Sequence, residues 1–282
     1  MIWKIFLPLL SFAFIPKATT ILQKTVDNDG SGIYTIEQEV QFPSAQEPLV
    51  LKETWIIEND NKMRLSVRGT HELKDKLHWV FLYENGNRYL LQGGVKSVKR
   101  IDDDFIEKYF HFRKPETFAN ALVRMKVAPA SLFAKKPLTH LGHEPDVQSD
   151  PYLRLARVGG GIAYAFGLPA EKVPGQQQEP LPPAFFIEQD QFVLRKFRLP
   201  SQVEVSADRY SVFARGLNFP RTRVVKWIGH DRSVDQVTLQ TIHVQPRFEK
   251  TLSLNLEDST RPESTDLGAA RPLVMEFYQR FR

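Results

Sequence analysis

The chain contains no cysteine. That excludes a disulfide framework, a thiolate nucleophile, and zinc or iron–sulfur centres built on Cys ligands. It also leaves no thiol for a lipid anchor. Charge of one sign is equally scarce: the formal net charge is +5, spread along 282 residues, too little and too dispersed for a nucleic-acid surface. Apart from the opening segment, no apolar run approaches the ~20 residues that a membrane-crossing helix needs. No 20–50-residue repeat of the solenoid or propeller type occurs. No Gly-x-Ser-x-Gly elbow is found, and the Gly159–Gly161 run lacks the Lys-Ser/Thr of a phosphate loop and precedes a strand pattern. These absences point away from an enzyme; no catalytic residue, metal site or cofactor is expected.

The opening segment reads as an export leader. Lys4 gives a positive start, residues 5–15 an apolar core too short to span a bilayer, and Ala13 and Ala18 the small residues near a cut. The expected organisation is a signal peptide over 1–18, a folded domain over 19–250, and a polar tail with a short C-terminal helix over 251–282. The expected compartment is the periplasm.

Beyond the leader, period-2 alternation dominates. Tyr34, Ile36, Val40 and Phe42 share one side of a strand and Thr35, Glu37, Glu39 and Gln41 the other. Leu51, Trp55 and Ile57 form a second apolar row, and Met63, Leu65 and Val67 a third. Residues 78–83 and 88–92 flank Asn85-Gly86, the strongest hairpin signal, because Asn-Gly accepts the positive φ angles of a tight primed turn. Further strands are expected over 152–158, 162–168, 184–188, 192–198, 202–206, 210–214, 222–228 and 236–245, giving a mostly antiparallel sheet.

Two amphipathic helices interrupt this pattern. Asp102–Asp104 can begin one carrying Phe105, Tyr109 and Phe112; Pro115 can begin another carrying Phe118, Leu122 and Met125. A last short helix is expected over 272–282.

Two polar clusters carry bland readings. Asp27, Asp29 and Ser31 with Gly32 are spaced like the start of a calcium loop, but position twelve is Gln38 and a strand follows, so a turn is favoured. His140, His143 and Glu144 lie between prolines with no third ligand placed by any motif. Aromatic content is what remains. Trp55, Trp79, Phe81 and Tyr83, with Met63 and Leu65, lie on strand faces, and Phe105, Tyr109, Phe118 and Leu122 line the central helices. Aromatics fill cores first. A sheet covered by only two or three short helices can nevertheless hold a cavity for an acyl chain, so these ten are the candidate ligand-binding residues.

Three stretches carry a resemblance. Residues 21–27 resemble an opening helix; Glu53-Thr54-Trp55-Ile56-Ile57-Glu58 with Lys62-Met63-Arg64-Leu65 resemble a Trp strand followed by a basic strand. Gly216-Leu217-Asn218-Phe219-Pro220-Arg221 through Trp227, then 237–246, resemble a closing pair entered by Phe-Pro and ended by Pro. Together they resemble the LolA-like periplasmic lipoprotein-sorting carriers over about residues 21–247. Residues 94–130, 171–183 and those beyond Arg247 have no counterpart in that pattern. The resemblance implies an α+β fold: a strongly curved antiparallel sheet, an incomplete β-barrel, with inserted amphipathic helices on its concave face. It implies a non-catalytic carrier whose partner is a lipid or a lipoprotein acyl chain. The alternative is an envelope protein–protein interaction or sensory module using the same half-barrel; a hydrolase with scattered residues is a third, weaker option.

Overall fold

The computed structural model describes residues 15–44, 47–134, 150–170, 180–229, 233–260 and 266–282. The apolar core of the leader up to residue 14, the His140–His143–Glu144 cluster and most of the 171–183 loop lie outside the described residues.

After helix α1 (Ala18–Asp27), a meander runs through β1 (Tyr34–Phe42), β2 (Leu49–Asn59), β3 (Lys62–Gly69), β4 (His78–Glu84), β5 (Asn87–Gln92) and β6 (Val95–Arg100). A 3-10 turn (Ile106–Phe110), α2 (Pro115–Arg124) and a second 3-10 turn (Ala130–Phe133) then cross the molecule. A second meander follows as β7 (Leu153–Val158), β8 (Gly161–Phe166), β9 (Ala184–Glu188), β10 (Leu194–Arg198), β11 (Glu204–Val212), β12 (Asn218–Ile228) and β13 (Val234–Pro246). The chain finishes with β14 (Asp258–Ser259) and α3 (Arg271–Arg280). Antiparallel pairing of β1 with β13, from Tyr34 opposite Pro246 to Gln41 opposite Thr238, joins the meanders into one fourteen-stranded sheet. β6 and β7 are its unjoined edges, so the barrel stays incomplete, and the expected fold class is the one observed.

The alternation sets which side is buried. Ile36, Val40, Phe42, Leu51, Trp55, Ile57, Met63, Leu65 and Val67 all point to the inner face, where the helices lie. Strand twist and bulges bend the sheet around them: register shifts at Glu37/Gln38 and Ile57/Asn59, and Arg209 at φ +54° lets β11 run on as one strand where two were expected. Asn85 and Gly86, at φ +51° and +76°, make the primed turn. α1 buries Ala18, Ile21, Leu22, Thr25 and Val26, a spacing of three and four that keeps one side inward.

Three segments differ from expectation. The helix expected from Asp102 is only the 3-10 turn Ile106–Phe110. Pro115 disfavours helical geometry at the residue before it, and Lys114 is extended (φ −136°, ψ 130°), so α2 starts afresh with proline at its first turn. Residues 95–100, within the expected helical insertion, form β6; both of its sides are exposed, so no alternation marks it. The tail is structural: Asp258 and Ser259 lie parallel to Leu91 and Gln92, Ser259 Oγ accepts from the Val80 amide (2.9 Å), and Arg64 pairs with Glu257 (2.5 Å).

The 27–32 segment is a turn, with Asp29 bridged to Leu217. Arg113 donates to the carbonyl oxygens of Asp29, Gly30 and Gly32, so a guanidinium, a cation already, braces the turn. Gly30, at φ +65°, lies where a Cβ would strike the Tyr34 hydroxyl and Leu217.

Candidate functional site

Every candidate ligand-binding residue lies in the core, none more than 4% exposed, and the structure divides them among three groups. β2 and β3 set Trp55 opposite Leu65 and Ile57 opposite Met63, and Met63 is opposite Tyr83 on β4. Tyr83 stacks on Phe105 at 4.6 Å and meets Trp55 at 5.6 Å. Trp79 and Phe81 meet Tyr278 of α3, at 5.2 and 6.3 Å. Tyr109 and Phe118 belong to the other half, against Phe185 of β9 at 5.3 and 5.8 Å; Leu122 is buried on the same side of α2 as Phe118.

α3 fills the middle of the inner face. Val274, Phe277, Tyr278 and Phe281 are buried; Phe277 packs on Phe42 (5.5 Å) and Phe281 on Trp227 (4.8 Å). Its last carbonyls are held by cations: Arg88 donates to Tyr278 O (2.7 Å) and to Arg282 O, and Lys99 to Gln279 O (3.0 Å).

Beside α3 lies a buried ionic centre. Arg223 on β12 donates from Nη1 to both Glu107 carboxylate oxygens at 3.0 Å, and from Nη2 to Gln38 Oε1. Gln38 donates in turn to Glu53 Oε2 (2.5 Å), which also accepts from Trp55 Nε1 (3.0 Å). Arg282, just past α3, donates from Nε to Glu53 (3.1 Å) and stands 3.5 Å from Glu107. Two carboxylates thus face two guanidinium groups, and the charges balance. Burial alone would raise the Glu107 carboxyl, but Arg223, a hydrogen bond with His111 and Arg282 outweigh it and hold it well below the usual range. Burial lowers the neighbouring His111, which stacks on Phe219 at 5.4 Å.

The centre's partners are incomplete. Tyr83 Oη, Arg223 Nε, Arg282 Nη2, Trp79 Nε1 and Trp227 Nε1 are buried without a hydrogen-bond partner among the described residues. Burial pushes the Tyr83 hydroxyl far above its ordinary value, so it stays protonated.

These polar residues were missed by the apolar reading, yet the signal was available. Gln38 occupies the Ile36–Val40 row, Glu53 the Leu51–Trp55 row, and Arg223 the Val225–Trp227 row. Each is a polar residue at an inward position, which demands a partner. Among the described residues, no group of three His, Cys, Asp or Glu could hold a metal ion, and no helix is long and apolar enough to cross a membrane.

No family model and no curated protein matches the chain. Solved structures do. The chain is similar to a LolA superfamily protein from Nitrosomonas europaea, with TM-score 0.49 and 8% identity over 83% of this chain and 94% of that one. It is also similar to a domain from Vibrio parahaemolyticus named for outer membrane lipoprotein sorting (TM-score 0.45, 12% identity, 83% and 93% covered). A DUF1329 family protein from Desulfovibrio piger matches at TM-score 0.45 and 8% identity, over 82% and 92%.

Proposed function

We propose that this is a non-catalytic carrier of a lipid or a lipoprotein acyl chain in the cell envelope, exported to the periplasm by a leader within residues 1–18. In this reading 19–250 form the binding half-barrel, and 251–282 supply both a strap and its movable cover. The observation that carries it is how the aromatic inner face is closed. Short helices from separate segments cover it, and one of them, α3, leaves buried donors beneath it unpartnered.

The energetics make exchange feasible. Burying a palmitoyl chain is worth on the order of 10 kcal/mol gross at ~0.8 kcal/mol per methylene. Val274, Phe277 and Tyr278 of α3, with Phe281 just past it, contribute about 1.5–3 kcal/mol each, the same order, so an acyl chain can offset the apolar burial that α3 gives up. Trp55, Met63, Leu65, Trp79, Phe81, Tyr83 and Phe105 would meet the chain first, and Tyr109, Phe118 and Leu122 would line its continuation towards α2. Titration of the purified protein with a fluorescent fatty-acyl probe should show saturable binding; a linear, non-saturating response ends the reading.

The alternative, an envelope protein partner, is favoured by one observation: β6 is exposed at all six positions and, among the described residues, has a strand on one side only. An acidic extended peptide should then bind that edge and lose affinity on Lys96→Glu; undiminished binding by the variant excludes this mode.

A further inference from the structure

A narrow cleft opens beside the end of α3, between β5–β6 and the 101–105 segment. Tyr83 and Arg282 line it from the core side, each with a buried donor that has no partner, Oη and Nη2. At its mouth are Arg88, Lys99, Arg100 and Arg280, with Asp102 as the one acidic side chain. Arg280 is neutralised by Asp104 at 2.5 Å. Arg88 and Lys99 donate to backbone oxygens at the end of α3, and the Arg100 guanidinium is exposed with no partner among the described residues. The space inside is about 10 Å³, room for a single water-sized atom.

We propose that this cleft is a phosphate-binding site: one phosphate oxygen reaches Tyr83 Oη and Arg282 Nη2, and the others stay at the mouth among Arg88, Lys99 and Arg100. The small interior admits one oxygen and no more. Two buried donors on residues that line it are costly unless an acceptor arrives. Cations outnumbering the lone carboxylate at the mouth suit the nearly double charge of a phosphate monoester. Tyr83 keeps its proton, so it can donate. The proposal deepens the carrier reading by assigning the head-group end of an acyl ligand, with Arg282 and the last residues of α3 staying in place while the rest of the helix moves, and depends on that reading for this part alone; free phosphate presents the same chemistry.

Calorimetric titrations of the full chain with inorganic phosphate, oleoyl lysophosphatidic acid and monooleoylglycerol separate the sources. Saturable phosphate binding is expected, with lysophosphatidic acid about tenfold or more tighter than monooleoylglycerol, as charge-assisted bonds give. Arg100→Gln should reduce that preference severalfold and leave monooleoylglycerol affinity unchanged, and Tyr83→Phe should weaken phosphate binding with the ring kept. Phosphate binding weakened in these variants, with neither lipid bound, supports the site and sinks the carrier reading. Absence of phosphate binding with equal affinity for the two lipids overturns the site and leaves the carrier reading intact. Phosphate binding indifferent to the variants also overturns it.

Discussion

The two halves of the inner face are packed by different rules. Under α2, the β9–β10 half is hydrocarbon and aromatic throughout: Phe185 stacks on Phe197 at 5.1 Å, and Phe112 on Phe118 at 4.9 Å. Its buried hydroxyl, Tyr109 Oη, is satisfied by Asp103 O at 2.8 Å, and Arg124 at the end of α2 pairs with Asp103 at 2.6 Å. Under α3, the β2–β4 half mixes aromatics with the ionic centre and keeps donors unsatisfied. A core whose donors are satisfied has nothing to gain from a visitor's polar end, whereas a core short of acceptors gains from a visitor that brings a carbonyl or head-group oxygen. In the proposed carrier, this difference would put opening on the α3 side and leave α2 as the fixed wall.

The comparison breaks most readily at the ionic centre. Arg223→Ala strands Glu107 in a site with only Arg282 and His111 left to face it. Breaking a buried pair this way costs about 3–5 kcal/mol, to be read from urea unfolding; a loss under ~1 kcal/mol would mean that water already reaches the centre.

A paired truncation tests the halves directly. Phe197→Ala, under α2, should cost about 3 kcal/mol or more because its cavity has rigid walls, and it should leave acyl-probe affinity unchanged. Phe277→Ala should cost less, since α3 can shift, and should tighten probe binding because the competing cover is weakened. Equal behaviour of the two variants would erase the distinction.

Binding-face variants give a finer contrast. Both Trp79→Ala and Phe118→Ala should weaken the probe, Trp79→Ala by roughly an order of magnitude and Phe118→Ala by less, on the ~1.4 kcal/mol scale of one lost aromatic contact surface. The reverse ranking would move the entrance to α2.

Acid titration gives the smallest effect and separates centre from rim. The Glu107 pKa is lowered on folding, so its contribution is complete above its unfolded value near 4.5 and lost as pH falls below it. Asp60, in the β2–β3 turn, behaves oppositely: burial raises its carboxyl to about 6, so stability present below 3.8 is lost as pH rises through about 6. Asp60→Asn should therefore gain roughly 1–2 kcal/mol at pH 7 and nothing at pH 3.5, read from denaturation midpoints at the two pH values.

Much of this architecture was legible from alternation and turn chemistry. The rows through Trp55, Met63 and Tyr83, the Asn85-Gly86 hairpin and the Pro115 start of α2 all follow local rules that the sheet reinforces. What escaped depends on distant partners. Gln38, Glu53 and Arg223 sit in apolar rows, and only the arrival of Arg282 and Glu107 from far along the chain makes them tolerable there. β14 is two residues long and is strand only because β5 offers it an edge. Period counting yields α3 as a helix, but its place over the inner face is set by Arg88, Lys99 and Asp104 gripping it from other segments.

Hydrogen exchange with and without saturating fatty-acyl ligand tests the central claim most directly. Amides of 271–280 should lose protection when the ligand is added while those of 115–124 keep theirs. Bound ligand with α3 amides equally or better protected, or with α2 the segment that opens, would contradict the assignment of α3 as the displaced cover.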